Sequence, residues 1–132
     1  MSKKVLIDKA IEMREQAYVP YSNFPVGAAL LTKSGKIYTG CNIENAAFPV
    51  SLCAERVAIF KAISEGETDF VEMAVVADTE RPVPPCGSCR QVMSEFFDPD
   101  MVIHLTNLRI NTLSTTMDEL LPFSFKKSDM EK

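Results

Sequence analysis

The sequence predicts an α/β fold, a three-layer αβα sandwich around a mixed five-stranded sheet, in one domain covering residues 1–132. Three observations carry this reading. Short runs of β-branched and apolar residues alternate along the chain with longer helical patterns. The run Phe70 to Ala77 is apolar at nearly every position, Glu72 apart, which suits a strand covered by helices on both faces. The runs Val102 to Thr106 and Thr112 to Thr116 lie only about five residues apart. That is too few for a parallel crossover, so the two pair antiparallel and make the sheet mixed. A chain of this size buries about two-thirds of its unfolded surface, enough for a core without disulfide staples.

The elements follow in order. Ser2 caps a first helix running to about Tyr18, with Leu6, Ala10, Met13 and Ala17 on one face. Pro20 and the cluster Tyr21-Ser22-Asn23 end it. Val26 to Thr32 and Lys36 to Cys41 form a hairpin around Lys33-Ser34-Gly35. A loop rich in Asn and Ala, Asn42 to Pro49, leads to a helix from Cys53 to Glu65 that Gly66 stops. After the buried strand, Glu80-Arg81-Pro82-Val83-Pro84-Pro85 is a stiff loop that must lead somewhere specific. Gly87 to Phe97 is the next helix, with Val92, Met93 and Phe96 apolar. Beyond the last strand Asp118 caps a short helix, and the Lys-rich tail after about residue 126 is frayed.

Composition excludes several functions. The balance of 14 Lys and Arg against 18 Asp and Glu leaves a net charge of −4, which argues against nucleic acid as a partner. Asp8 interrupts the first residues too soon for a signal segment, and no apolar run spans a bilayer, so a cytoplasmic protein with no membrane partner is expected. The one His, His104, sits in a strand run and reads as a satisfied sheet residue. Four Cys in such a chain read as thiol or metal chemistry.

Two segments stand out: Ser51-Leu52-Cys53-Ala54-Glu55-Arg56 and Pro85-Cys86-Gly87-Ser88-Cys89-Arg90. Each places a Cys at a helix start, where backbone N–H groups and the helix dipole favour thiolate. One helical turn can aim Cys86 and Cys89 at the same ion, with Cys53 as the third ligand, and three thiolates suit zinc. Cys41 is the spare thiol. If it joins, the site is a closed structural zinc; if not, the fourth position is open for catalysis and Glu55 lies beside it as a proton carrier. A thiol–disulfide oxidoreductase using Cys86 and Cys89 is the other reading, though it gives Cys53 and Glu55 no role.

These segments resemble the zinc-dependent cytidine deaminases, in the short, all-cysteine, homotetrameric branch. The resemblance runs over nearly the whole chain. It includes Pro20-Tyr21-Ser22-Asn23-Phe24-Pro25-Val26-Gly27-Ala28-Ala29, Gly40-Cys41-Asn42-Ile43-Glu44-Asn45-Ala46, both cysteine segments, and Leu120-Leu121-Pro122. It implies hydrolysis of cytidine and 2′-deoxycytidine to the uridines with ammonia release, in pyrimidine salvage, with one Zn²⁺ per chain. Position by position it implies Cys53, Cys86 and Cys89 as ligands and Glu55 as the proton shuttle. Asn42 and Glu44 bind the ribose 3′-hydroxyl, and Phe24 lies beside the pyrimidine. Phe125 reaches a neighbouring subunit's pocket. The N–H of Ala54 is placed to hold the ring carbonyl.

Phe48 departs from the pattern, because a Tyr is frequent there and its hydroxyl is lost. Three thiolates around Zn²⁺ carry a formal −1, and Arg56 donating hydrogen bonds to ligand sulfurs offsets part of that charge. An acidic group beside the sugar favours a free nucleoside over a nucleotide. The same chemistry on another small aminated nucleoside is the alternative substrate reading.

Overall fold

The computed structural model describes residues 2–131. Helix α1 (Ser2–Arg14) leads into strands β1 (Val26–Thr32) and β2 (Ile37–Cys41), and α2 (Ala54–Ser64) precedes β3 (Phe70–Ala77). Helix α3 (Gly87–Phe96) precedes β4 (Val102–Asn107), and β5 (Thr112–Thr116) runs into α4 (Met117–Leu120). In space the strands lie in the order β2-β1-β3-β4-β5. Only the β3–β4 pair is parallel, and it is the pair whose connection carries a helix. Strand β3 is central and its last five residues are buried, as its unbroken apolar run requires.

The two faces of the sheet bury different cores. Leu6, Ile7 and Ala10 of α1 pack on Ala29, Ala74 and Val76. On the other face Ala58, Ile59 and Ala62 of α2 and Met93 of α3 pack over Leu30, Met73 and Ile103. Helix and sheet approach closely where side chains vanish. A Cβ on Gly27 would lie 1.9 Å from the Ala10 carbonyl oxygen, and one on Gly40 would lie 2.3 Å from that of Ala54. Gly40 therefore sets the depth of the first turn of α2, the turn that follows Cys53.

Several local expectations give way to tertiary pairing. Helix α1 closes at Arg14, with turn residues to Gln16, rather than near Tyr18. Tyr18 instead donates its N–H to the Asn42 carbonyl and accepts the Glu44 N–H, bonds that helix continuation would forfeit. The Ser2 hydroxyl donates to Glu72 at 2.6 Å. The expected loop from Asn42 to Pro49 is bridged at Ile43 to both Tyr18 and Leu52 and closes in a 3₁₀ turn, Phe48–Val50.

Strand β2 starts at Ile37 rather than Lys36, and β4 extends one residue, to Asn107. Thr116, not Asp118, caps α4: its hydroxyl accepts the Glu119 N–H while the Glu119 carboxylate accepts the Thr116 N–H, a capping box. The tail forms a 3₁₀ turn, Lys127–Met130, where fraying was expected. His104 is buried and satisfied, bonded to Ser114 Oγ at 2.7 Å and to the Glu72 carboxylate.

Candidate active site

Cys53 and Cys86 occupy the cap positions of α2 and α3, and Cys89 lies in the first turn of α3 with its side chain buried. Two helix starts thus converge. Cys86 Sγ lies 3.4 Å from Cys89 Sγ and 3.8 Å from Cys53 Sγ, and all three sulfurs fall within 4.8 Å of one another. A tetrahedral zinc with Zn–S bonds of about 2.3 Å separates its sulfurs by roughly 3.8 Å, so the spacing fits the ion. Cys41 is buried elsewhere and stands outside this group, which leaves three protein sulfurs rather than a closed set of four among the described residues.

The electrostatics fit as well. The Cys53 thiol is pulled down to about 5, chiefly by its hydrogen bond with Cys89, with burial opposing and Arg56 assisting. The Cys89 thiol is pushed up by that same bond and by burial, so the negative charge settles on Cys53. Three thiolates this close repel one another, and a cation is what lets all of them ionise. Arg56 Nη2 donates to Cys53 Sγ at 3.4 Å, and its Nε is buried with no partner among the described residues. A half-buried cation against sulfur is the arrangement expected beside an anionic metal–thiolate group.

Glu55, the second residue of α2, is buried, 4% exposed. Burial pushes its carboxyl up to about 7; its own backbone N–H lowers it, the Cys53 charge raises it and Arg56 lowers it. A carboxyl poised near neutrality can both take and give a proton.

These groups form the floor of a cavity of about 310 Å³ that Cys53, Ala54, Glu55 and Cys86 line. Phe24, Asn42, Glu44, Phe48, Val83 and Pro84 line it as well. Asn42 is braced at both ends of its amide: Oδ1 accepts the Val26 N–H at 2.9 Å and Nδ2 donates to the Phe24 carbonyl at 2.8 Å. One amide hydrogen remains for a ligand. Glu44 accepts the N–H groups of Tyr21 and Ser22, each at 3.1 Å, and the Ser22 hydroxyl. The hydroxyl bond chiefly holds its carboxyl below the ordinary range, so an anionic acceptor faces the cavity.

Sequence reasoning named this constellation and missed parts of its support. Ser22, which orients Glu44, lay within a cluster read as a helix stop and as part of the family resemblance, with no role of its own. Val83 and Pro84 lay in the stiff loop whose destination was open. Phe125 does not line the cavity; it is 57% exposed, and its carbonyl accepts from Gln91 Nε2 at 3.0 Å. Arg90 also went unnamed for a role, yet it joins the Pro85 and Leu120 carbonyls, each at 2.8 Å, tying the metal loop to the end of α4.

Comparison with known proteins agrees with this geometry. Residues 1–105 match the family model "Cytidine and deoxycytidylate deaminase zinc-binding region". A cytidine deaminase of Sporosarcina psychrophila is 55% identical over 98% of this chain and 96% of its own. One from Halalkalibacterium halodurans is also 55% identical, over 98% of each chain. Among solved structures, the cytidine deaminase from Burkholderia pseudomallei superposes with a TM-score of 0.92 at 46% identity, covering 95% of this chain and all of that one.

Proposed function

The chain belongs to the cytidine and deoxycytidylate deaminase family, and from that premise we infer that it hydrolyses cytidine and 2′-deoxycytidine to the uridines, releasing ammonia. The observation that carries this reading is the pairing of an open three-sulfur group with a buried carboxyl poised near 7, on the floor of one cavity. Cys53, Cys86 and Cys89 hold the zinc. When bound, zinc supplies a Lewis acid that lowers the pKa of water toward about 7 and so provides the nucleophile for C4.

The protein's own groups do the rest. Glu55 takes the proton from the attacking water and delivers it to N3, which makes C4 electrophilic. As C4 becomes tetrahedral, Glu55 moves the remaining hydroxyl proton to the exocyclic amine, which departs as ammonia. Ala54 opens α2 and lines the cavity, and its N–H, one of those a helix start leaves unpaired, serves as the donor for the ring carbonyl. Phe24 offers an aromatic surface to the ring. Asn42 and Glu44 offer one donor and one acceptor to the 3′-hydroxyl. An anionic Glu44 repels a phosphate, so the substrate is a nucleoside. Phe48 brings no hydroxyl to the 5′ end.

The domain works as part of a homotetramer in this reading, in the cytoplasm and in pyrimidine salvage. Supporting the assembly, Phe125 and the fully exposed Phe123 stand on the arm after α4, outside their own cavity, free to meet another copy. The zinc-loaded protein is expected to bleach the cytidine absorbance band with one ammonia released per uridine, and to sediment as four chains. Preference for dCMP, guanine or single-stranded RNA in the same assay sinks the substrate assignment, and an active monomer sinks the assembly.

Arg56 has its own expected result. Arg56→Gln keeps a donor beside Cys53 but removes the charge, and turnover is expected to fall about tenfold, with weaker zinc retention. Unchanged metal affinity together with unchanged kcat removes Arg56 from the site.

A further inference from the structure

We propose that Asn107 is a positioning residue for the substrate cavity, its buried amide fixing the segment that carries the Val83–Pro84 wall. The segment from Thr79 to Pro85 has little means of holding itself. Three of its residues, Pro82, Pro84 and Pro85, have no N–H to donate. Residues 79–85 make no backbone-to-backbone hydrogen bond among the described residues. Yet they supply two cavity-lining side chains and run directly into Cys86. What fixes them is side chains from elsewhere.

Asn107 holds the entry. It ends β4 and pairs in parallel register with Ala77, so it stands beside the point where β3 releases the segment. Its side chain is wholly buried, and all four of its hydrogen-bonding capacities are met. Nδ2 donates to the carbonyls of Thr79, at 2.8 Å, and Glu80, at 3.1 Å. Oδ1 accepts the N–H groups of Arg109, at 3.1 Å, and Asn111, at 3.0 Å. One planar amide thus fastens the wall segment on one side and the β4–β5 turn on the other. Thr79 Oγ1 adds a bond to the Arg81 carbonyl, carrying the constraint one step toward Val83. The exit is held separately, by Arg90 Nε on the Pro85 carbonyl at 2.8 Å.

The division has a kinetic consequence. Releasing the entry loosens the wall against which a nucleoside packs, while Arg90 keeps Pro85 and Cys86 in place. Binding weakens and the chemical step is largely spared. The inference rests on the nucleoside deaminase reading, and the experiment separates the two. Asn107→Asp retains an acceptor for the turn but sets a carboxylate against the Thr79 and Glu80 carbonyls. In Asn107→Asp the KM for cytidine is expected to rise about tenfold, with kcat changed less than about threefold. Zinc stoichiometry should hold, and amide exchange should accelerate across residues 79–84.

Thr79→Val, which removes only the Oγ1 bond and disturbs no core, is expected to raise KM about threefold. A folded Asn107→Asp protein with native KM and native exchange overturns the proposal. So does a joint loss of zinc and kcat at unchanged KM, which marks a merely structural role. If Asn107→Asp does not fold, Thr79→Val decides: unchanged KM rejects the clamp, and a raised KM supports it. A wild-type protein inactive on cytidine rejects the substrate reading instead, and the exchange measurement still tests the clamp.

Discussion

Glu55→Gln is expected to keep its zinc and lose uridine formation by at least about a thousandfold, the scale of a positioned proton carrier acting at more than one step. Gln has nearly the same shape and fits the same buried position, so cavity and sulfur group are retained. It cannot accept a proton from water or return one to N3 and the amine. Metal analysis and a stopped-time uridine assay on one preparation check both halves. A zinc-loaded Gln variant with near-native turnover ends the assignment.

The same substitution makes a second, opposite prediction for stability. Burial raises the Glu55 carboxyl from an ordinary 4.5 to about 7, so the folded protein holds that proton more tightly than the unfolded chain. Stability from this group is therefore present below about 4.5 and lost as pH rises through about 7. Metal-free Glu55→Gln carries no such penalty and should melt higher than metal-free wild type at pH above about 7. The gap should close toward acid pH. A residue that weakens the fold it sits in while enabling the reaction is common at active sites.

Cys89→Ala is expected to abolish both zinc binding and turnover. Cys89 is the buried member of the sulfur group, and its removal leaves Cys53 and Cys86 with two donors where a retained ion needs three. An ion that binds the folded chain in preference to the unfolded one stabilises it, so the variant should also melt earlier than the zinc-loaded protein. Cys41→Ala provides the contrast. Its sulfur lies outside the group, and full zinc content with native turnover is expected. If Cys41→Ala loses metal and Cys89→Ala does not, the ligand set is wrong. Acid should strip the metal in the same sense, because each thiolate must release a proton to bind it.

Much of this was legible in the chain. Cys86 and Cys89 share a helical turn and Glu55 follows Cys53 in another, so their chemistry depends on spacings that sequence displays directly. Phe70 to Ala77 announced a central strand because only a strand covered on both faces tolerates so few polar positions. Asn42 and Glu44 were identified through family resemblance rather than through any local pattern. Thr116 escaped as a cap because Asp118 offered an equally good local signal, and only packing sent the Asp118 N–H to the Pro99 carbonyl. Tyr18 was drawn into the first helix by its neighbours, and a bridge to Ile43 drew it out.

By itself, then, the sequence displayed the candidate sulfur donors, a carboxyl beside them and the order of elements around them, since each depends on residue type and short-range spacing. Tertiary structure alone decided that Cys41 stands apart and that Ser22 orients Glu44. It also decided that the Asn107 amide reaches back to Thr79 and Glu80. Many of these partners lie far apart along the chain. Their energies arise only when burial leaves a donor or charge no water to bond, and no local pattern records which distant group will answer it.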